Sequence, residues 1–86
     1  MAVLIVLFDY SPTGASHYPM IRAIKKYPWT KLTETSYAIS TDLTPHAVFT
    51  QLRGLMESTS NLYVLTHRKP FAGYGPQSSN DWLQQY

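Results

Sequence analysis

The order of hydrophobic and polar positions along the chain predicts a strand first. Residues 2–8 are an unbroken apolar run, with several β-branched members, that ends at Asp9. Such a run is too short to cross a bilayer, which takes about 20 apolar residues. It predicts instead a strand buried on both faces at the centre of a sheet. Asp9 would then stand at the carboxyl end of a central strand, where open α/β sheets tend to place chemistry.

Two later stretches have the apolar spacing of amphipathic helices. The first is predicted to begin at Pro19, which suits the first helical position, and to stop at Pro28. The second opens with Thr44 as N-cap and Pro45 behind it. Gly54 falls inside this second helix, where close packing against a neighbour would justify a glycine. The predicted buried stripes are Met20, Ile21, Ala23, Ile24 and Tyr27 in the first helix, and Val48, Phe49, Leu52, Leu55 and Met56 in the second.

Residues 29–41 read as extended chain between the two helices. The second half alternates strictly, which predicts two distinct faces. One face carries Thr35, Tyr37 and Ile39, and the other carries Glu34, Ser36 and Ala38. The first half, residues 30–33, is either continuous with it or a separate short strand joined by a bend or bulge near Glu34. Residues 62–66 predict a last strand.

The pattern changes after the last strand. Residues 68–76 have no period and several breakers, which predicts a loop. A short final helix is expected over residues 81–86, capped by Ser79 or Asn80 and anchored by Trp82 and Leu83. A tail with these apolar anchors either covers the open edge of its own sheet or docks on a second subunit.

This order predicts an α+β fold, the ferredoxin-like βαββαβ sandwich, with an antiparallel sheet, two helices on one face and a short helical tail. The first and last strands are expected side by side in the middle. The 86 residues form one domain, with a core over residues 1–67 and a tail over 68–86. The other sheet face must also be covered, and the sheet of a second subunit would cover it most simply. A homodimer is therefore expected.

The amino-acid composition indicates the cellular location and the partners that the chain suits. The chain has no cysteine, so it has neither disulfides nor a thiolate metal site, which fits a reducing cytoplasmic location. The apolar run starts directly after Met1 and Ala2 with no basic segment before it, so we expect no signal peptide and no membrane partner. A formal charge of +2 is below that of dedicated DNA-binding domains. Aromatic residues are abundant, and they suit interfaces as well as small cores.

Two residues are candidates for catalysis. A pair of Asp9 carboxylates across a two-fold axis is the kind of ligand set that holds magnesium or manganese. His67 ends the last strand, which is expected to run parallel beside the first, so it would emerge near Asp9 as an acid, base or phosphate contact. Both residues also have non-catalytic explanations. Asp9 would bond loop N–H groups such as those of Ser11 or Thr13, and the histidines match no local metal motif.

Basic and aromatic residues suggest a binding role. The candidate nucleic-acid contacts fall into two groups, Arg22, Lys25, Lys26 and Lys31 in the first and Arg68 and Lys69 in the second. Cations beside aromatic rings grip single strands and RNA. Phe71, Tyr74 and Trp82 are the candidate interface residues of the tail. The same composition also suits protein interfaces, and the charged face of a helix is often only solvated.

Several segments together resemble a known family. These are the strand ending in Asp9, the Tyr18-Pro19 helix start, residues 35–43 (Thr-Ser-Tyr-Ala-Ile-Ser-Thr-Asp-Leu) and residues 61–64 (Asn-Leu-Tyr-Val). They look like the small bacterial and phage proteins labelled "SinR family", which are not the helix-turn-helix repressor. That family is similar in layout to the smaller core CRISPR adaptation protein (Cas two) and to VapD-type toxins. The resemblance covers most of residues 2–66.

The resemblance implies a homodimer of ferredoxin-like domains, in which the aspartate ending the first strand faces its symmetry mate and can bind a divalent metal. Only Asp9 matches that site. Residues 10–17 contain no Lys or Arg where the family has an arginine-rich segment, and Ala38 replaces an acidic residue. We therefore expect a binding module for nucleic acid or protein without efficient catalysis. The alternatives are a metal-dependent ribonuclease or deoxyribonuclease using Asp9, and a phage-type structural or inhibitory protein. No cofactor is certain.

Overall fold

The computed structural model describes residues 1–9 and 17–86. Strands and helices follow one another along these residues as β1 (Ala2–Phe8), α1 (Tyr18–Ile24), β2 (Trp29–Thr33), β3 (Ser36–Thr41), α2 (Pro45–Arg53), β4 (Leu62–His67) and α3 (Gln77–Gln85). The chain is thus an α+β protein in which every predicted strand and helix is present, although several boundaries differ.

The strands form one antiparallel sheet in the order β2-β3-β1-β4. β1 lies inside the sheet, with Leu4 opposite Ile39 of β3 and Val6 opposite Val64 of β4. The expectation that the first and last strands are neighbours is confirmed. β1 is central, as expected, but β4 is an edge strand antiparallel to β1, so the central position and parallel direction expected for β4 are wrong. The β2–β3 hairpin reverses the chain once between the two crossovers, so the strand after the second helix opposes β1.

One sheet face and the first two helices enclose the main core. Alternate β1 residues Leu4, Val6 and Phe8 point to this face. They pack with the buried helix residues Met20, Ala23, Ile24, Val48 and Leu52 and with Tyr37, Ile39 and Leu62 of the other strands. The predicted helical stripes therefore face the sheet, with the exception of Leu55.

The opposite sheet face is partly covered by the chain's own tail. Val3, Ala38 and Leu83 of α3 form a second buried cluster, against which Ile5, Leu32, Phe71 and Trp82 pack. α3 packs on its own sheet, against the edge strand β2 and the buried cluster on this face. A second subunit is consequently not required to bury this part of the face. Docking of the tail on a second subunit stays a prediction.

The tail helix begins earlier than predicted. It starts at Gln77, with Pro76 before it, so Ser79 and Asn80 lie inside its first turn and cap nothing. The Ser79 hydroxyl points to the sheet, where it donates a hydrogen bond to the Lys31 carbonyl at 2.7 Å and bonds the Thr30 hydroxyl at 2.9 Å. A residue used for this tertiary contact cannot serve as an N-cap, which is why the local signal misplaced the helix start.

The remaining local signals have mixed outcomes. The Thr44 hydroxyl accepts a hydrogen bond from the Ala47 N–H at 3.1 Å, which confirms the predicted N-cap of α2. Gly54 is the C-cap residue of this helix and not an interior residue, so the predicted buried position of Leu55 is wrong and its side chain is exposed. Residues 29–41 form two strands separated by a turn at residues 34–35, with a register shift in β2.

None of the helices in the described ranges has the length and apolar character needed to span a bilayer.

Candidate functional site

Asp9 uses its whole carboxylate to hold the start of β4. Its two oxygens accept hydrogen bonds from the backbone N–H and the side-chain amide of Asn61, both at 2.8 Å. Its carbonyl accepts a third hydrogen bond, from Nε2 of His17, at 2.7 Å. Asp9 thus bonds backbone and side-chain N–H groups, as the ordinary alternative expected, but the partner is Asn61. The predicted partners Ser11 and Thr13 lie outside the described residues.

His67 lies at the other end of the sheet from Asp9. In the β1–β4 register Val3 faces His67, whereas Phe8, next to Asp9, faces Leu62. The two candidates are therefore separated by the length of β1, roughly 20 Å at about 3.4 Å per residue. The expectation that His67 emerges beside Asp9 is wrong, because it required β4 to run parallel to β1. Within residues 1–9 and 17–86, no three His, Cys, Asp or Glu side chains come together as a metal site.

The first basic group lies on the solvent side of α1. The Arg22 guanidinium lies over the Tyr18 ring, 5.5 Å from its centre, and the Lys25 ammonium lies over the Trp29 ring at 4.7 Å. Lys26 is exposed beside them. Residues 17–33 contain no acidic side chain, so nothing within this segment neutralises these cations. We call Tyr18, Arg22, Lys25, Lys26 and Trp29 the α1 surface.

A groove continues from the α1 surface along the β2 edge. It has a volume of about 520 Å³ and lies between β2 and the first half of α3. Trp29, Lys31 and Trp82 are among its lining residues, so Trp29 belongs to both features. Lys31 forms an ion pair with Glu34 at 3.2 Å, and both residues line the groove. We call this the β2–α3 groove.

The second basic group is separate from the first. Arg68 and Lys69 follow β4, at the sheet edge opposite β2. Three strand spacings of about 4.8 Å lie between those edges. The Lys69 ammonium donates a hydrogen bond to the carbonyl of Gln84 near the end of α3. The structure thus brings Arg22, Lys25, Lys26 and Lys31 to one side of the molecule and leaves Arg68 and Lys69 at the other.

The tail aromatics have different environments. The ring of Phe71 packs edge-on against His67 at 5.7 Å, and Trp82 stacks on Tyr86 at 4.4 Å. Tyr74 is fully exposed. Two of the three candidate interface residues therefore make contacts within the chain.

Sequence reasoning missed Tyr18 and Trp29 as members of the candidate site. Each lies four positions from its cation, Tyr18 before Arg22 and Trp29 after Lys25. Side chains three or four apart meet on a helix surface, so the spacing was a usable signal for Tyr18 and Arg22, whereas Trp29 lies beyond α1, in β2.

A scan of family models, a search of curated proteins and a search of solved structures each gave no match for this chain.

Proposed function

We propose that this protein is a ferredoxin-like binding module that holds single-stranded nucleic acid on the α1 surface and in the β2–α3 groove. The fold part of the proposal is supported by the element order β1-α1-β2-β3-α2-β4 and by the strand order β2-β3-β1-β4. These are the orders of a split βαβ sandwich with a helix added at its end. The resemblance to the SinR-label and CRISPR adaptation proteins, noted above, is part of the same proposal.

The observation that carries the functional part is the Lys25 ammonium held over the exposed ring of Trp29. A strand of nucleic acid offers phosphates to the cation and a base face to the ring, and base–aromatic stacking is tolerant of sequence. Arg22 and Tyr18 repeat the arrangement one helical turn earlier. The α1 surface thus alternates the two kinds of group that single-strand binding requires.

A single strand fits this surface better than a duplex. The positive charge is small, and duplex binding without base contacts relies on many phosphate neutralisations. Aromatic side chains, by contrast, reach bases only where these are unstacked and exposed. Trp29 and Trp82 flank a groove whose rim carries Lys31, which is a path for an extended strand.

We assign no catalytic role to Asp9 in this proposal. Both of its oxygens already accept hydrogen bonds from Asn61. These two bonds give the carboxylate a structural role, because they hold Asn61 at the start of β4. Binding, without cleavage, is the function that the contacts support.

We also infer that the module is a homodimer, joined through the part of the second sheet face that α3 leaves open. Leu7, Tyr63 and Leu65 are exposed there. The pairing of Leu7 with Tyr63, and of Leu65 with Ile5, puts their side chains on one face. Contiguous exposed apolar residues of this kind mark interaction sites.

The test is the salt-dependent binding of fluorescently labelled oligo-dT and oligo-rU, measured by anisotropy. Lys25→Gln is expected to weaken binding and to lower the slope of log K against log salt by about 0.7, the value of one single-strand phosphate contact. Trp29→Ala is expected to weaken binding about 5- to 100-fold, as the loss of one stacking platform does.

Arg68→Gln is the matched control, because it removes one exposed cation at the opposite sheet edge. It should leave the affinity and the salt slope close to those of the unchanged protein. Equal effects of Lys25→Gln and Arg68→Gln would contradict the assigned surface. Absence of oligonucleotide binding at low salt would contradict the function itself.

A further inference from the structure

A second cavity lies on the sheet face opposite the α1 surface. It has a volume of about 280 Å³ and is covered by residues 71–76, the loop between β4 and α3. Ile5, Leu32 and Leu83 supply apolar lining from β1, β2 and α3, and the ring of Phe71 supplies an aromatic wall. We call this the tail pocket.

The polar groups of the tail pocket differ in whether they already have hydrogen-bond partners within the chain. The hydroxyls of Thr33 and Ser79 are already hydrogen-bonded, to Ser36 and to Thr30 and Lys31 respectively. Nε2 of His67 is buried and has no hydrogen-bond partner among the described residues. Buried polar atoms without a partner are exceptional in native proteins, and a bound water or ion is a usual reason.

The strand register fixes the sheet face on which the His67 side chain lies. His67 shares a sheet face with Val3, its partner in the register, and Val3 is buried in the cluster under α3. The imidazole is therefore held on the pocket side of the sheet, with the Phe71 ring edge-on against it. The side-chain amide of Asn80, in the first turn of α3, lines the same pocket and offers both a donor and an acceptor.

The lining restricts the class of ligand. It includes no Asp, Glu, Lys or Arg, so a charged ligand would lose its hydration without gaining a counter-charge. The volume is just below the roughly 300–1,000 Å³ of pockets for drug-sized ligands. We propose that the tail pocket binds a small uncharged heteroaromatic ring of nucleobase size, hydrogen-bonded by Nε2 of His67 and by Asn80 and packed against Phe71.

This site and the proposed single-strand site can be tested separately. The tail pocket and the α1 surface lie on opposite faces of the sheet and share no residue, whereas the tail pocket and the β2–α3 groove share Leu32, Thr33, Pro76 and Ser79. The test variants avoid these four residues, because Lys25 and Trp29 do not line the tail pocket and His67 does not line the groove. Loss of Lys25 or Trp29 should leave the pocket's ligand binding intact, and loss of His67 should leave oligonucleotide binding intact. Failure of one proposal is thereby distinguishable from failure of the other.

The experiment is a titration of the ¹⁵N-labelled protein with adenine and with uracil, followed through the backbone amides of Gly73 and Leu83. Toluene serves as a ring without polar atoms, and orotate as a charged heteroaromatic ring. We expect at least one of the two bases to shift the pocket amides, with orotate and toluene each binding about tenfold more weakly.

His67→Phe keeps an aromatic ring beside Phe71 and removes the nitrogen, so base binding should weaken about tenfold. His46→Phe, at an exposed position on α2, is the control and should change nothing. If His67→Phe does not fold, Asn80→Leu tests the same hydrogen bonding from α3 and should weaken binding to a similar degree. Equal binding of toluene and the bases, unchanged affinity in the folded variant, or no shift of the pocket amides by either base would overturn the proposal.

Discussion

Asp9 and Asn61, 52 positions apart in the chain, are joined by two hydrogen bonds of 2.8 Å each. One comes from the backbone N–H of Asn61 and the other from its side-chain amide, so a single carboxylate fixes both the position and the orientation of that residue. Asn61 immediately precedes β4, and Asp9 immediately follows β1. The pair therefore anchors the edge strand where it enters the sheet.

This arrangement predicts that Asp9→Ala destabilises the fold. Hydrogen bonds to a charged group contribute about 1.5–3 kcal/mol each, but this pair is largely open to water, so we expect a total loss of about 1–2 kcal/mol. Asn61→Ala should cost a similar amount, and the double variant should cost less than the sum of the two. Urea unfolding measures all three, with Asp42→Ala as a control because the Asp42 carboxylate makes an exposed 3.7 Å ion pair with the N-terminus.

Additive effects of Asp9→Ala and Asn61→Ala would contradict an energetic link between the two residues. The same variants address the nuclease alternative. Incubation of labelled RNA and DNA with magnesium or manganese should give no cleavage that depends on Asp9. Metal-dependent cleavage that is lost in a folded Asp9→Ala protein would make this residue a ligand despite its hydrogen bonds.

Local signals in the sequence were sufficient for much of the fold. The N-cap at Thr44 and the apolar stripes of the two main helices depend on neighbours within one or two turns, and apart from Leu55 they are found as predicted. The relation of Asp9 to His67 depends instead on the direction of β4. That direction depends on how all the strands and helices are connected, and the residues of β4 alone do not indicate it.

The α1 surface was predictable only in part. Arg22, Lys25 and Lys26 were visible as the polar side of a helix, whereas the neighbouring rings were not connected with them. Trp29 belongs to β2 and meets Lys25 only because the helix ends at Ile24 and the chain turns back at once. The tail pocket could not be predicted from the sequence. Its walls come from three strands and from α3, which are distant in the chain and meet only in the folded structure.

The Ser79 hydroxyl provides a second stability prediction. It donates its one proton to the carbonyl of Lys31, so it accepts from the hydroxyl of Thr30, and all of this occurs in a buried contact. Ser79→Ala should cost about 1–3 kcal/mol, because it leaves buried polar partners unsatisfied. Ser78→Ala is the neighbouring control at an exposed position. Thermal unfolding of the two variants should differ, and equal midpoints would show that this contact does not hold α3 on the sheet.

The N-cap of α2 provides a third prediction. Thr44→Ala removes the oxygen that accepts the Ala47 N–H and should lower the free energy of unfolding by about 1 kcal/mol. Thr50→Ala makes the same chemical change at an exposed position within the helix, where alanine is the better helix former. Chemical unfolding should therefore show Thr44→Ala as destabilising and Thr50→Ala as neutral or slightly stabilising. A loss in both variants would point to a general effect of threonine removal.

The final prediction concerns the open part of the second sheet face. Leu65 is 48% exposed and shares that face with Tyr63 and Leu7. If two copies meet there, light scattering should give twice the monomer mass of 9.8 kDa. Leu65→Lys should then return the protein to the monomer, because a buried unpaired charge is costly.

Leu43→Lys is the matched control for that experiment, since Leu43 is similarly exposed, at 45%, but lies before α2 and away from this face. It should keep the dimer mass. Far-ultraviolet circular dichroism should show both variants folded, because neither residue belongs to the two buried clusters. A monomeric unchanged protein at high concentration would contradict the dimer, and dissociation by both variants would mean that the copies associate through some other surface.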